Sequence, residues 1–480
     1  MHAQPARPLV RAALAAAAVL AFGSGACRGP ERPPVILITI DTLRADAVGA
    51  WGGLGLPTPA LDAIAAEGAL FERAYAPIPR TTQGIATLLT GLHPLHHGAD
   101  GLGMELPSRI ETLAERFAAA GWSTAAFVSN VNLRPGLGYE QGFALYANPE
   151  VRWRGNSAAS ITSEALSWLD ARDDGAPPFL WVHYLDPHWP YTPPPEWEER
   201  ADPGFRAPYR IDERQAAGEL TKGRIIFEAD RVMDARMIEH VRRLYVAEVA
   251  ATDAAIGRLV DGLRERGLWE RAIVVVTSDH GEALGDHRYW FAHGEYLYDD
   301  TCRVPLVIRA PGRVPAGRRI AGAASLEDVA PTLISLAGLE PPAPTDGLDL
   351  SSLLRSPGEA EIAAREMLHL GDFRLIHPEN PRYHRPGRAG RWRALRAGRL
   401  KLVVVPGPDG GPDEVELYDL AADPAESANL ANSRPDDVAR LRARLDELLA
   451  AYGARAGDEE VPADEDSRIR DAMRGLGYVD

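Results

Sequence analysis

Short apolar runs rich in β-branched residues alternate along the chain with segments whose apolar positions repeat at helical spacing. The first run, residues 35–40 (VILITI), is almost wholly apolar and ends at Asp41, a pattern typical of a strand buried on both faces. Comparable runs predict further strands, at residues 124–128, 179–184, 272–277 and 306–309. Helical spacing predicts helices at residues 59–68, with Thr58 as the expected cap, and at residues 110–120, 160–171 and 236–268. The alternation predicts an α/β fold with a large, mostly parallel central sheet covered by helices on both faces.

The pattern changes near residue 365. Short antiparallel strands are predicted at residues 392–395, 400–405 and 416–419, followed by a helix over residues 435–451. We therefore expect a catalytic domain at residues 33–365, a smaller C-terminal α+β subdomain at residues 366–455 and a tail at residues 456–480. Residues 193–235 are first rich in proline and then charged, which indicates an insertion or lid beside the site.

The first 27 residues have the layout of a secretory signal. Two arginines precede the apolar run of residues 12–22, which is too short to span a bilayer, and small residues follow up to Cys27. We expect export, to the periplasm, the cell envelope or the medium. The segment before Cys27 resembles a lipoprotein cleavage box with Ser24 in place of the usual leucine. A lipid anchor to a membrane through Cys27 and an uncleaved membrane anchor are both open.

The chain is acidic, with 52 basic and 68 acidic residues and a formal charge of −16. Because nucleic-acid binding needs a basic surface, this composition disfavours a nucleic-acid partner. It does not exclude an anionic substrate, since a locally positive cleft can lie on an acidic body.

Polar side chains follow the predicted strands at the points where those strands end. Asp41 follows the first strand, Asn130 the second, and Asp279 and His280 the fourth. Ligands gather at the carboxyl ends of parallel strands. Two carboxylates and an imidazole at such ends predict a site for a divalent cation. The alternative is that each aspartate only caps the helix that follows it.

Seven motifs in chain order resemble landmarks of the sulfatase family, a branch of the alkaline phosphatase superfamily: ITIDTLRAD, LLTGLHPLHHG, HYLDPHWPY, TSDHGEALGDH, HGEYLYDDTCRVPL, EDVAPTLISLAG and LYDLAADPAESANL. The resemblance implies an alkaline-phosphatase-like sandwich with a mixed, mostly parallel sheet and a small C-terminal subdomain. It also implies a bound divalent cation, usually calcium, with manganese or zinc as alternatives. The implied ligands are Asp41, Asp279 and His280, completed by Thr81. The second carboxylate usual beside the first aspartate is Thr42 here.

The family nucleophile is a cysteine or serine in a motif that continues with proline, serine and arginine and leads to Leu-Thr-Gly. Counting back from Leu-Thr-Gly at residues 89–91 places Thr81 in the nucleophile slot and Gln83, Gly84 and Ile85 in the other slots. A threonine cannot be matured to the formylglycine of sulfatases proper. A threonine hydroxyl on a cation can still attack phosphorus in line. The substitution therefore favours phosphate or phosphonate esters, with sulfate esters still open.

The resemblance also implies two catalytic histidines. His188 aligns with a histidine that contacts the transferred group or the leaving oxygen, and His293 occupies a slot where many relatives carry lysine. Either imidazole can protonate the leaving alcohol or neutralise charge on the transferred group.

Four residues complete the expected site as substrate-binding groups: Asn130, Asn132, Thr82 and His183. The two asparagines stand where relatives carry a lysine and a histidine. Together with Ile85 they predict a pocket that is less cationic than a typical sulfatase pocket.

These observations predict an enzyme, a metal-dependent hydrolase that cleaves phosphate, phosphonate or sulfate esters of a small molecule, glycan or lipid through Thr81. Three alternatives stay open. They are an arylsulfatase-like enzyme that works without formylglycine, a transferase of phospho-headgroups, and an inactive glycan-binding relative in which Thr81 only caps a helix.

Overall fold

The structure is a computed structural model that describes residues 32–101, 103–148, 157–340, 344–355, 365–371, 379–382, 390–408 and 411–453. The predicted signal segment, residues 1–27, and the predicted tail, residues 456–480, lie outside the described residues. None of the helices in the described ranges has both the length and the apolar character that a membrane crossing requires.

Fourteen strands are described: β1 (Val35–Ile40), β2 (Ala69–Tyr75), β3 (Ser123–Val128), β4 (Leu145–Ala147), β5 (Pro178–Tyr184), β6 (Ile273–Thr277), β7 (Ala283–Leu284), β8 (Trp290–Ala292), β9 (Arg303–Arg309), β10 (Arg318–Ser325), β11 (Glu366–Leu370), β12 (Arg393–Ala397), β13 (Leu400–Val405) and β14 (Glu414–Asp419). Eight of them form the central sheet, in the order β10-β2-β9-β6-β1-β5-β3-β4. Every neighbouring pair in this sheet is parallel except the two pairs that include β9. The sheet is therefore mixed, with β9 alone running against the other strands.

Thirteen α-helices accompany these strands: α1 (Pro59–Glu67), α2 (Thr81–Thr90), α3 (Pro94–His97), α4 (Leu113–Ala119), α5 (Ser157–Ala171), α6 (Pro195–Ala201), α7 (Ile211–Ala216), α8 (Lys222–Val232), α9 (Ala235–Glu265), α10 (Asp299–Cys302), α11 (Val329–Leu336), α12 (Ser351–Arg355) and α13 (Pro435–Gly453).

The alternation of side chains along β1 explains why the sheet has a core on each face. Ile36, Ile38 and Ile40 join a cluster that includes α1, α5 and α9. Val35 and Leu37 point the other way and join a cluster that includes α2, α4 and α11. Successive strand residues face opposite sides of a sheet, so a strand covered on both faces must be apolar throughout.

The C-terminal region contributes a second, antiparallel sheet in the order β11-β12-β13-β14. One face of this sheet packs on α13 through Leu441 and Leu445. The other face packs on aromatic residues of the main body, among them Tyr289 and Tyr296.

The predicted fold class is confirmed, and the predicted strands and helices occur with bounds that shift by a few residues. Sequence patterns missed six strands: β2, β4, β7, β8, β10 and β11. Residues 193–235 contain α6, α7 and α8, and the domain boundary near residue 365 stays a prediction.

The expected cap of α1 is wrong in one respect. Thr58 precedes the helix but makes no capping hydrogen bond, because its hydroxyl accepts from the Gly49 amide and lies against Asp62. Asp253 of α9 accepts from the first amides of α1 instead, at 3.1 and 2.8 Å.

Candidate active site

The carboxyl ends of four adjacent strands, β6, β1, β5 and β3, bring the predicted site residues together. Asp41 directly follows β1, and its amide donates to the Tyr184 carbonyl at the end of β5. Asp279 and His280 follow β6 with one residue between. All three side chains have no exposed surface, and each offers a ligand atom within 4.8 Å of the others.

Each of the two carboxylates has one oxygen held by the protein and one oxygen without a hydrogen-bond partner. Asp41 Oδ2 accepts from Asn130 Nδ2 at 2.6 Å, and Asp279 Oδ1 accepts from the His280 amide at 2.9 Å. Asp41 Oδ1 and Asp279 Oδ2 have no hydrogen-bond partner. A buried carboxylate oxygen without a partner is costly unless a cation lies beside it.

The backbone at Thr42 completes the arrangement. Thr42 has a φ of 55°, a left-handed conformation that is uncommon for a β-branched residue. This turn directs its amide to Asp279 Oδ1 at 3.3 Å and its hydroxyl to the Pro187 carbonyl at 3.0 Å. The residue that replaces a family carboxylate therefore braces the other aspartate.

Burial dominates the protonation of this pair. It raises the pKa of Asp41 to about 6, against the opposing effects of His280 and Asn130. Burial and the nearby charge of Asp41 also raise the pKa of Asp279. Two carboxylates that share a buried space resist simultaneous ionisation, and a divalent cation between them would remove that resistance.

His280 is oriented as a metal ligand. Its Nδ1 lies 2.8 Å from the Gly281 carbonyl. A carbonyl only accepts hydrogen bonds, so Nδ1 carries the proton and Nε2 carries the lone pair. Nε2 lies 3.4 Å from Asp279 Oδ2 and 3.9 Å from Asp41 Oδ1. Two carboxylate oxygens without a hydrogen-bond partner therefore converge with this nitrogen, and these residues fit a divalent cation.

Thr81 is the first residue of α2, and its hydroxyl points into this cluster. Oγ1 donates to Asp41 Oδ2 at 3.5 Å and lies 3.3 Å from His280 Nε2. The residue at the cap position of α2 is Arg80, which makes no side-chain capping bond. The capping alternative is therefore wrong for Thr81. It is also wrong for Asp41, whose side-chain partners are the side chains of Asn130, Thr81 and His183.

His188 and His293 lie side by side next to His280. The ring centroids of His280 and His293 are 4.2 Å apart, and those of His293 and His188 are 5.3 Å apart. His188 Nδ1 lies 2.5 Å from the Trp189 carbonyl, and His293 Nδ1 lies 3.5 Å from Glu282 Oε2. Glu282 is fully buried and was not predicted as a site residue.

Similar proteins identify the family. The family model for sulfatases matches residues 33–339, and the model described as "N-sulphoglucosamine sulphohydrolase, C-terminal" matches residues 285–453. The chain belongs to the sulfatase family. It is accordingly a hydrolase that acts on ester bonds.

Individual relatives of this sulfatase-family chain are distant but nearly full-length. An ulvan-active sulfatase of Formosa agariphila is 27% identical over 90% of this chain and 83% of its own length. An arylsulfatase of Clostridium perfringens is 26% identical over 84% and 91%. The crystal structure of a phosphonate monoester hydrolase of Agrobacterium radiobacter is 26% identical, covers 88% of this chain and 96% of its own, and has a TM-score of 0.70.

Three of the four expected substrate-binding residues are held by the protein itself. Asn130 donates to Asp41, and the buried His183 lies between Thr39 and Asp41, at 2.8 and 3.4 Å. The Thr82 hydroxyl donates to Gln83 Oε1 at 2.6 Å. Asn130 and His183 thus support Asp41, and the expected substrate-binding roles of the three residues stay predictions.

Asn132 is the fourth expected substrate-binding residue. It is buried, and its Oδ1 lacks a hydrogen-bond partner. This placement leaves the expected role of Asn132 as a prediction.

Two cations that the sequence analysis did not assign lie at this site. Arg80 packs against Gly294, where an added Cβ would lie 2.0 Å from the Arg80 Nε. Lys222, from α8, donates to the Phe291 carbonyl at 3.1 Å. The charges of both act on His188 and His293. Cations from other elements therefore lie near the site, and the expectation of a pocket less cationic than that of a typical sulfatase stays a prediction.

Proposed function

We propose that this protein is a divalent-cation-dependent hydrolase in which Thr81 attacks the sulfur or phosphorus of an anionic ester. One observation carries the proposal: the Thr81 hydroxyl lies within 3.5 Å of both Asp41 and His280. These are two of the three residues whose ligand atoms lie within 4.8 Å of one another. A hydroxyl in that position would serve as a further oxygen ligand to a cation held by the carboxylates.

The cation's identity follows from its donors. When bound, it would lower the pKa of the Thr81 hydroxyl and neutralise charge on the transferred group. Calcium prefers six or more oxygen ligands, whereas the imidazole of His280 suits transition metals. We therefore favour Mn²⁺ or Zn²⁺ over the calcium that the family resemblance implied.

In the first step, Thr81 Oγ1 forms a bond to sulfur or phosphorus while the bond to the ester oxygen breaks. The hydroxyl proton leaves toward Asp41, the acceptor of its hydrogen bond. The leaving oxygen takes a proton from His293, whose Nδ1 faces the Glu282 carboxylate. Burial and the nearby charges of His280 and Arg80 lower the pKa of His293 well below its usual value, so the imidazolium that a general acid requires forms when the anionic substrate lies beside it.

In the second step, water attacks the same atom and breaks its bond to Thr81 Oγ1, which regains its proton from Asp41. The Trp189 carbonyl holds the proton of His188 on Nδ1, so Nε2 is the unprotonated nitrogen that can accept a proton from water. His188 then returns this proton to His293, whose ring lies 5.3 Å away. The enzyme is restored, and the free sulfate or phosphonate is released.

Sulfate monoesters, such as those of sulfated glycans, are the first substrate class that we propose. The relatives named for ulvan and aryl sulfates support it. Phosphonate monoesters are the second class, supported by the similarity to a phosphonate monoester hydrolase. Both are monoanions at neutral pH, and a threonine nucleophile serves either chemistry without formylglycine.

The first test replaces the Thr81 hydroxyl with a methyl group, Thr81→Val. We expect kcat/KM for 4-nitrophenyl sulfate and for a phenylphosphonate monoester to fall about a thousandfold or more, because the attacking atom is gone. Thr81→Ser should retain activity. The matched control is Thr90→Val at the opposite end of the same helix, where the hydroxyl donates to the Ala86 carbonyl and accepts from the Leu92 amide.

Equal rates for wild type and Thr81→Val on both esters would contradict the nucleophile assignment. Absence of turnover by the wild type, with retained binding of a sulfated oligosaccharide, would favour an inactive binding relative. Appearance of the transferred group on an added alcohol instead of water would favour a transferase.

A further inference from the structure

The chain uses lysine almost nowhere. Of its 52 basic residues only two are lysines, Lys222 and Lys401, and all others are arginine. Both lysines are buried. A lysine at a buried position in so arginine-rich a chain is a specific choice, because a compact ammonium and a planar guanidinium make different contacts.

The two lysines have different surroundings. Lys401 is held by two carboxylates, Asp299 at 2.9 Å and Glu426 at 2.7 Å. Lys222 donates to the Phe291 carbonyl at 3.1 Å, and its ammonium lies 4.3 Å from the centroid of the Trp189 indole. Lys401 therefore has a structural explanation in ion pairs, while Lys222 contacts a carbonyl and a ring and feels the charge of the buried Glu282.

Those contacts place Lys222 beside the catalytic histidines. Trp189 follows His188 in the chain, and Phe291 precedes His293 by two residues. Thr221 caps α8 by accepting from the Arg224 amide at 3.3 Å, which fixes the first turn of the helix that carries Lys222. The ammonium thus enters the site from the insertion and not from the central sheet.

The electrostatics agree with this position. Burial, aided by the charge of Lys222, lowers the pKa of His188 to about 3. Burial raises the pKa of Glu282, and the charge of Lys222 acts in the opposite direction. Burial also lowers the pKa of Lys222 itself well below its usual value. An anion bound at this place would stabilise the ammonium and both imidazolium ions.

We propose that Lys222 is a substrate-binding residue whose ammonium contacts an anionic oxygen of the transferred sulfuryl or phosphoryl group. This inference rests on the proposed function. Ile85 and Asn130 hold positions where sulfatases carry arginine and lysine, and α8 supplies the missing cation from another part of the chain. The contact strengthens as negative charge grows on the transferred group, so it accelerates the reaction in addition to binding substrate.

Lysine-selective NMR tests the contact directly. The full chain, labelled with 13C at the lysine ε-carbon and loaded with diamagnetic Zn²⁺ or Ca²⁺, should give two side-chain resonances. Inorganic sulfate or phosphate should shift the Lys222 resonance and leave that of Lys401 in place. The assignment comes from the resonance that disappears in Lys222→Met. Response of both resonances, or of neither, overturns the proposal.

Kinetics of matched variants provide the second readout. Lys222→Met should lower kcat/KM about a hundredfold and weaken inhibition by inorganic sulfate, and Lys222→Arg should restore part of both. Arg224→Met is the control, because Arg224 lies on the same helix, is exposed and pairs with Glu228 at 3.2 Å. A Lys222→Met variant with wild-type turnover and wild-type inhibition by sulfate overturns the proposal.

Different results would refute the proposed function and the proposed role of Lys222. If the wild type hydrolyses no ester but sulfate still shifts the Lys222 resonance, the proposed function is wrong and the anion site stands. If esters are hydrolysed through Thr81 while Lys222→Met behaves as wild type, the proposed function stands and the role of Lys222 is wrong.

Discussion

At the scale of single residues, the site is organised by what each oxygen of the two aspartates faces. One oxygen of each is satisfied by the protein, through Asn130 or a backbone amide, and the other has no partner. Position at strand ends was enough to select Asp41, Asp279 and His280 from the sequence, and spacing to Leu-Thr-Gly selected Thr81. Such signals are local, so they cannot show which atom of a side chain is left for a ligand.

The pKa of Asp41 leads to a prediction for the cation-free protein. The folded-state pKa, about 6, exceeds the ordinary 3.8, so the folded state binds this proton more tightly than the unfolded state. Ionisation of Asp41 therefore lowers the free energy of unfolding. This decrease is absent below pH 4, grows as the pH rises to about 6 and is complete above that pH. Asp41→Asn should remove this part of the pH dependence, as measured by thermal unfolding in EDTA from pH 4 to 8.

Cation binding should also distinguish the wild type from Asp41→Asn. Mn²⁺ or Zn²⁺ should raise the Tm of the wild type above pH 6, because the cation replaces the proton between the carboxylates. The same addition should leave the Tm of Asp41→Asn nearly unchanged. An equal shift in both proteins would place the cation elsewhere.

His293 should matter most when the leaving group needs a proton. His293→Gln should slow hydrolysis of alkyl sulfates by about 10²-fold or more, and that of 4-nitrophenyl sulfate much less, because nitrophenolate leaves unprotonated. A series of aryl esters graded by the pKa of the leaving phenol measures this dependence. His188→Gln should slow good and poor leaving groups alike, and an equal loss for all esters in His293→Gln would remove His293 from the role of acid.

At the scale of elements, tertiary partners override local rules. The sequence offered Thr58 as the cap of α1, yet Asp253, far along the chain on α9, accepts from the first amides of that helix. Lys222 is a similar case, because α8 brings it to the site through packing that no spacing rule contains. Its sequence signal was only its rarity. Helices and strands with strong periodicity were predicted, whereas side chains that distant elements bring into place, such as Asp253 and Lys222, were not.

Lys401 gives a stability prediction for the C-terminal sheet. Burial disfavours its charge, but Asp299 and Glu426 outweigh that effect and raise its pKa. Lys401→Met should destabilise the protein by about 3–5 kcal/mol, because two buried carboxylates lose their cation. Arg444→Met, which removes a surface pair with Glu366, should cost under about 1 kcal/mol. Urea unfolding compares the two, and equal losses would contradict the importance of burial.

At the scale of the whole molecule, the C-terminal sheet is joined to the main body at the segment that precedes Thr81. The Leu370 amide donates to the Pro77 carbonyl at 2.9 Å, and His369 Nδ1 lies 3.0 Å from the Ala76 carbonyl. These bonds join β11 to the segment between β2 and α2. The C-terminal sheet therefore supports the loop that presents Thr81.

We expect one cooperative unfolding transition for the catalytic and C-terminal regions. Loss of the second sheet would expose Ile78 and the aromatic residues that pack on it, so neither part is expected to persist alone. Scanning calorimetry with equal calorimetric and van't Hoff enthalpies would agree with this expectation. Two separate transitions would show that the predicted boundary near residue 365 divides independent domains.

The strand order also determines when the sheet can be completed during synthesis. β2 pairs only with β9 and β10, and β1 needs β6 on one side. A nascent chain that ends before residue 273 therefore has β1 with one open edge and β2 with two. Open strand edges are prone to wrong pairing. β6 pairs directly with β1, so the side chains of Asp41 and Asp279 can approach each other only after β6 has emerged from the ribosome.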